Sequence, residues 1–115
     1  MQELPCEVCG WNLATDVNLG WLRWVELKGV VVAVQVCCHG ARPGGEQCCD
    51  SLERRDPPEA SERDGHLEWF TGAWALRQCW RMLRHYQWTN EAAERLFDIL
   101  DVAQQLPTGS GPPSL

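Results

Sequence analysis

Cysteine is concentrated in the amino-terminal part of this chain, where its spacing suits a bound metal ion. Six of the seven cysteines lie within residues 1–49, in the groups Pro5-Cys6-Glu7-Val8-Cys9-Gly10, Cys37-Cys38-His39 and Cys48-Cys49. A Cys-x-x-Cys-Gly turn directs two thiolates and several backbone N–H groups towards one point, and a tetrahedral metal then needs two more soft ligands. The later cysteine pairs can supply these two ligands.

We predict that one cysteine from each adjacent pair is a ligand, because neighbouring residues seldom both reach one tetrahedral ion without strain. The predicted ligands are Cys6, Cys9, Cys38 and Cys49, with Cys37, Cys48 and His39 as substitutes. Zn²⁺ in a structural role is the expected ion, since four thiolates with no redox demand favour zinc. The spacing matches neither of the ferredoxin cluster patterns.

Two strands are predicted between the cysteine groups. Residues 21–27 and 30–36 have the composition of strands, and the turn Lys28-Gly29 joins them as a hairpin. In the second strand, alternation places one set of side chains on a single face: Val30, Val32, Val34, Val36 and Cys38. Cys37 then faces the other way, so only one of the two cysteines is expected to be a ligand.

A short helix is predicted after the second cysteine pair. Asp50-Ser51-Leu52-Glu53 has the spacing of a capping box with Asp50 as the N-cap, and Pro57-Pro58 would end the helix. A helix that starts here would favour thiolate at Cys48 or Cys49, because the N-terminal dipole stabilises negative charge.

The order of these elements resembles that of treble-clef and zinc-ribbon domains, which also place a knuckle and a hairpin before a cysteine at a helix start. The resemblance covers residues 5–54 and concerns architecture. It departs from those families in the second half-site, where they use a second Cys-x-x-Cys and this chain has Cys37-Cys38-His39 and Cys48-Cys49.

The carboxy-terminal half has a helical pattern. One helix is predicted from Gly65 to Tyr86 with Leu76 and Trp80 on its apolar face, and a second from about Glu91 to Gln105 that buries Phe97. A short connector favours an antiparallel pair. The predicted fold is therefore α+β: a treble-clef- or zinc-ribbon-like hairpin domain (1–54), a polar linker (55–65), an antiparallel helical hairpin packed on the first part (66–106), and a disordered tail (107–115).

The first long helix also carries a basic side. Arg77, Arg81, Arg84 and Trp74 fall in one arc, which predicts a partner-binding face for an acidic protein groove or for nucleic acid. The alternative is an internal one, in which these arginines face an acidic stripe on the next helix, formed by Glu91, Glu94, Asp98 and Asp101. Exposed pairs of that kind contribute less than about 1 kcal/mol each.

Composition restricts the function classes. The net charge of −6 argues against a general nucleic-acid binder. The three histidines lie near no Ser or Asp in an activating motif, and no Gly-rich phosphate loop is present. Pro5-Cys6 with Cys9, and His66 with Glu68, resemble the two halves of the nucleobase deaminase signature in reversed order. We expect no enzyme. With neither a signal peptide nor a membrane-length apolar run, the expected location is cytoplasmic.

The leading prediction is a small zinc-stapled protein-binding or regulatory module, acting on a protein partner. Its size and acidity suit an inhibitor or modulator of nucleic-acid-handling machinery, of the phage-encoded or immunity type. One alternative is a zinc-ribbon-like transcription regulator that contacts nucleic acid through its arginines. Another is a thiol redox or metal sensor that uses the adjacent cysteines.

Overall fold

The computed structural model describes residues 3–39 and 45–112. It contains a four-stranded mixed sheet and three α-helices, which confirms the predicted α+β class. The strands are β1 (Gly20–Leu27), β2 (Val30–Cys38), β3 (Ser61–His66) and β4 (Gln87–Trp88), and their order in the sheet is β3-β1-β2-β4. The helices are α1 (Gly45–Arg55), α2 (Trp74–His85) and α3 (Asn90–Ala103).

The predicted hairpin is present, with β1 and β2 antiparallel. Lys28 and Gly29, the two turn residues, both have positive φ, at 54° and 81°. This is the left-handed conformation of the two-residue turns whose twist matches a hairpin, and glycine adopts it without strain.

A bulge changes the facing of the first part of β2. Val25 of β1 pairs with Ala33, whereas the next residue, Glu26, pairs with Val31, so Val32 has no partner. Val31 is therefore fully buried and Val32 only half-buried, and the predicted placement of Val30 and Val32 with Val34 is wrong. A bulge adds one residue to one strand and reverses the alternation on either side of it. Beyond the bulge the predicted alternation holds as far as Cys38.

The predicted linker is wrong over its second half, because residues 61–66 form β3. This strand pairs antiparallel with β1, with Arg63 opposite Trp24 and Asp64 opposite Arg23. Its sequence, Ser-Glu-Arg-Asp-Gly-His, lacks an alternating apolar pattern since it is an edge strand, and edge strands commonly carry charged side chains.

The first carboxy-terminal helix is shorter than predicted. Residues 67–70 form a 3₁₀ turn, Gly72 has a φ of +59°, and α2 begins only at Trp74. Helix α3 begins after Thr89, whose Oγ1 accepts a hydrogen bond from the N–H of Ala92 at 3.1 Å. The connector is more than a loop, because β4 pairs in parallel with Val30 and Val31 of β2. The two helices contact each other, and α3 also packs on β2.

The described part of the tail is ordered against α2, contrary to prediction. Thr108 Oγ1 accepts from the N–H of Ala73, the N–H of Gly109 donates to Thr71 Oγ1, and Trp74 Nε1 donates to the carbonyl of Gly109. Low apolar content predicted disorder, but glycines let this backbone approach α2 closely and exchange hydrogen bonds with it. Residues 113–115 lie outside the described residues, as does the predicted loop over 40–44.

Candidate metal centre and the exposed face of α2

The first two cysteines lie on a tight turn. The N–H of Gly10 donates to the carbonyl of Cys6 at 3.0 Å, and the N–H of Cys6 donates to the carbonyl of Trp11 at 2.9 Å. Gly10 closes the turn with a φ of +77°, a conformation that a side chain would disfavour. The N–H of Val8 points at Cys6 Sγ, 3.4 Å away, so the backbone supports negative charge on that sulfur.

Four cysteine sulfur atoms converge at the end of this turn. Cys6 and Cys9 of the turn meet Cys38, the last residue of β2, and Cys48 in the first part of α1. All four Sγ atoms lie within 4.8 Å of one another, and those of Cys9 and Cys38 are 3.7 Å apart. A tetrahedral ion with metal–sulfur bonds of about 2.3 Å separates its sulfurs by about 3.8 Å. This cluster could therefore hold one metal ion.

The structure replaces one predicted ligand. Cys49 is not in the cluster, and its place is taken by Cys48, a predicted substitute. The reason is the start of α1, which lies at Gly45 and not at Asp50, so that a different side chain of the helix faces the turn. Of the other substitutes, Cys37 lies on the opposite face of β2, where its Sγ is 3.1 Å from that of Cys49. His39 Nε2 lies against the backbone carbonyl of Asn18, away from the cluster.

Burial and thiolate repulsion shape the acidity of the four cysteines. Burial opposes ionisation of Cys6, but hydrogen bonds from backbone groups, including that of Val8, lower the pKa of this thiol to about 7. Burial and the charge of Cys6 raise the pKa of Cys48 to about 12. Burial and the hydrogen bond with Cys9 likewise raise the pKa of Cys38. Cys6 therefore ionises readily, whereas a bound cation is needed to ionise Cys38 and Cys48 beside it.

A buried arginine lies on the same side of the sheet as Cys37. Arg23 of β1 is only 1% exposed, and its guanidinium contacts Asp56 at 2.6 Å, Glu62 at 3.6 Å and the side-chain amide of Gln35. Burial alone would lower the pKa of Arg23, but Asp56, through its hydrogen bond and charge, raises it, helped by Glu62. A charged residue between Trp21 and Val25 in a predicted strand was the sequence signal for this network.

The four predicted partner-binding residues have different environments. Arg77, Arg81 and Arg84 are exposed, and none of them forms an ion pair within residues 3–39 and 45–112. The alternative of pairing with the acidic stripe of α3 is therefore not what the structure has. Trp74 is half-buried, and its indole N–H is bonded to Gly109. Trp74 therefore contacts the tail, and the guanidinium of Arg77 lies 5.9 Å from the centre of its ring.

An apolar surface was missed because its residues were assigned to the core. Leu76, Trp80 and Phe97 are 77%, 63% and 49% exposed and lie on the neighbouring helices α2 and α3. We call these three residues the α2–α3 patch. The predicted apolar face of α2 was broader than one neighbour can cover, and that width was the available signal. The buried side of α2 is formed by Ala75, Gln78, Cys79 and Met82.

The arginines connect this patch with a cleft. Arg84 lies over the ring of Trp80, 5.8 Å from its centre. Arg81 and Arg84 also line a cleft of about 540 Å³ whose walls include Trp69, Phe70 and Tyr86. Apolar and aromatic side chains thus lie on both sides of Arg81 and Arg84.

Comparison with models of known protein families, with curated proteins and with solved structures finds no match for the chain. Among the described residues, no helix combines the length and the apolar character that crossing a membrane requires.

Proposed function

We propose that this chain is a zinc-stapled module that binds an acidic segment of a partner protein on the exposed face of α2. The observation that carries the proposal is the α2–α3 patch beside three exposed arginines, Arg77, Arg81 and Arg84, which we call the arginine row. The role is binding and regulation, without catalysis by this chain.

Zinc is the ion that the cluster suits best. Four thiolates in a tetrahedron, with no open position for water or substrate, are typical of structural zinc sites. A cubane iron–sulfur cluster would hold its four cysteines on four different irons, and so further apart than the 4.8 Å limit observed here. Bound zinc would join the turn, the end of β2 and α1, and would stabilise the folded state by on the order of 10 kcal/mol.

The α2–α3 patch has the composition of an interface. Trp and Arg are the residues that most often dominate binding energy, and an exposed Trp80 beside Arg84 offers both. Leu76 and Phe97 add to the exposed apolar area of the two helices. A groove between the helices is lined by Leu76, Cys79 and Phe97, and also by Asp98 and Asp101. It can receive an apolar side chain, while the carboxylates of the partner would lie at the arginine row.

Charge decides the chemistry of the occupant. The arginine row has no ion-pair partner within the described residues, although the chain as a whole carries a net charge of −6. A partner segment with carboxylates around an apolar anchor would complement both the row and the patch. A partner from nucleic-acid-handling machinery, the narrower prediction, would bind through such an acidic segment.

Protein is favoured over nucleic acid for a physical reason. Phosphates would satisfy the arginines but would leave Leu76 and Phe97 uncovered. The other charges of the chain are predominantly acidic and would repel a nucleic-acid backbone. A zinc site built of reduced thiols would suit a reducing compartment, which supports the predicted cytoplasmic location.

Selection of random peptides displayed on phage against the zinc-loaded chain tests this proposal. We expect enriched peptides to combine an aromatic or aliphatic anchor with Asp and Glu. For a synthetic copy of an enriched peptide, Trp80→Ala should weaken binding about 30-fold, the equivalent of about 2 kcal/mol. Arg81→Glu should also weaken binding, and by a larger factor at low salt than at high salt.

Trp11→Ala is the matched control, because Trp11 is also exposed but lies on the cysteine turn. It should change the affinity less than twofold. Enrichment of basic peptides would overturn the proposed acidic occupant. Equal losses of affinity for Trp11→Ala and Trp80→Ala would overturn the proposed binding face. Salt-dependent binding of a DNA or RNA duplex that Arg81→Glu abolishes would favour the nucleic-acid alternative. Concentration-dependent dimerisation lost with Trp80→Ala would make a second copy the occupant.

A further inference from the structure

Two cysteines outside the metal cluster form a second sulfur pair. The Sγ atoms of Cys37 and Cys49 lie 3.1 Å apart, and both residues are free thiols. Alternation in β2 turns Cys37 away from Cys38, and α1 places Cys49 one residue beyond Cys48. Each adjacent pair therefore contributes one sulfur to the cluster and one sulfur to this second pair.

The two sulfurs differ in access. Cys37 is fully buried, whereas Cys49 is half-buried, so a reagent from solvent meets Cys49 first. Cys49 Sγ also lies 2.8 Å from the carbonyl of Cys38. A disulfide bond is about 2.05 Å long, so the sulfurs need to approach by about 1 Å to become bonded.

A cation stands beside the pair. Arg23 of β1 is buried on the sheet face that carries Cys37. Arg23 pairs in register with Gln35, two residues before Cys37.

We propose that Cys37 and Cys49 are a redox-active dithiol, oxidised to an intramolecular disulfide by a small-molecule disulfide such as glutathione disulfide, while the four-cysteine site keeps its ion. Cys49 Sγ attacks one sulfur of the reagent and releases the other half as a thiol. Cys37 Sγ then attacks Cys49 Sγ, forms the Cys37–Cys49 bond and expels the second half. Two electrons pass from the protein to the reagent, and the two thiol protons end on the two released thiols.

The inference is independent of the docking proposal, because it concerns α1 and β2 and not the α2–α3 patch. It also separates two roles within each adjacent cysteine pair. Sulfurs bound to zinc donate electron density to the metal in a closed site and are poorer nucleophiles. The sulfurs of Cys37 and Cys49 lie outside that site and remain nucleophilic. The bond would join α1 covalently to β2 without using a metal ligand.

The test treats the full, zinc-loaded chain with glutathione disulfide under anaerobic conditions and follows its mass and its zinc content. We expect the loss of two hydrogen atoms with retention of zinc. Digestion with trypsin and a Glu-specific protease cuts after Glu46, so Cys37 and Cys49 separate into different peptides that a disulfide connects. Because Cys38 and Cys48 lie on the same two peptides, fragmentation of the linked pair between the adjacent cysteines assigns the bond. Reduction by dithiothreitol should restore the starting mass.

Variants distinguish the two steps. Cys37→Ser, or Cys37→Ala if the serine is poorly tolerated, should stop the reaction at a glutathione adduct on Cys49. Cys49→Ser should prevent the reaction, and Cys79→Ser, which removes a buried thiol in α2, should leave it unchanged. Zinc content and circular dichroism establish that each variant is folded. Oxidation that links cysteines of the cluster, that ejects zinc, or that leaves Cys37 and Cys49 reduced would overturn the proposal.

Discussion

Cys38, at the end of β2, lies with its sulfur 3.7 Å from that of Cys9, on the amino-terminal turn. The two residues are 29 positions apart in the chain, so this contact closes a long loop, which Cys48 extends into α1. Closing a long loop costs conformational entropy, and a metal ion bound at its ends offsets that cost.

Cys48 and Cys49 should respond differently to substitution. Cys48→Ser removes a member of the cluster and should lower zinc affinity by more than about 100-fold, since even outer-shell changes at metal sites cost 10–100-fold. Cys49→Ser should retain one zinc per chain. Competition with a chromophoric chelator measures both affinities. A larger loss in Cys49→Ser would restore the ligand set that the sequence predicts.

The ion pairs of Arg23 should contribute more to the free energy of unfolding than the exposed Arg63–Glu26 pair on the same sheet. Arg23→Leu removes the counter-ion of Asp56 and Glu62 and should lower the free energy of unfolding by about 3–5 kcal/mol. Arg63→Leu breaks the more exposed pair with Glu26 and should cost less than about 1 kcal/mol. Chemical denaturation of the zinc-loaded variants measures both values. Similar losses would mean that Arg23 is solvated in solution.

Glu62 should make the protein less stable as the pH rises. Burial, then the hydrogen bond and charge of Asp64, raise the pKa of Glu62 from 4.5 to about 7. The charge of Glu53 adds to this rise, whereas the charge of Arg23 opposes it. The opposition is weak because the Arg23 guanidinium lies closer to Asp56, at 2.6 Å, than to Glu62, at 3.6 Å. A raised carboxyl pKa contributes stability that is present below pH 4.5 and is lost as the pH rises through about 7.

Glu62→Gln tests that dependence. The stability of the wild-type chain relative to this variant should decline between pH 5 and about 8, as measured by denaturation at a series of pH values. The exposed Glu59→Gln is the control and should run parallel to wild type. A relative stability that increases with pH would show that Arg23 dominates the environment of Glu62.

The ordered part of the tail should contribute to stability through Gly111. A Cβ at this position would lie 2.4 Å from the Trp74 ring, and φ there is +76°. Gly111→Ala should therefore destabilise the fold by about 1–3 kcal/mol and shift tryptophan fluorescence to the red. Gly29→Ala has a similar φ of +81° but open space around its Cβ, so it reports the cost of φ alone. Equal costs would mean that the tail does not pack on Trp74.

Local sequence signals predicted the parts of the structure that depend on local physics. Lys28-Gly29 predicted the hairpin turn, and strand alternation predicted that Cys37 and Cys38 diverge. The start of α1 was missed, because a capping-box pattern at Asp50 lies inside a helix that begins at Gly45. That shift is what exchanged Cys49 for Cys48 in the cluster.

Features that depend on tertiary contacts were harder to predict from the sequence. The strand β3 has no apolar alternation, since its order comes from pairing with β1 and from charges around Arg23. Periodicity marked Leu76 and Trp80 as apolar, but it cannot say which arc of a helix its neighbours cover. The exposed patch was therefore assigned to the core.

Metal analysis of the purified chain, by elemental measurement together with native mass spectrometry, tests the central claim most directly. We expect one zinc ion per chain, held by four thiolates, and a melting temperature that falls sharply when a strong chelator removes it. A chain that carries no stoichiometric metal, and that melts at the same temperature with and without the chelator, would contradict the account.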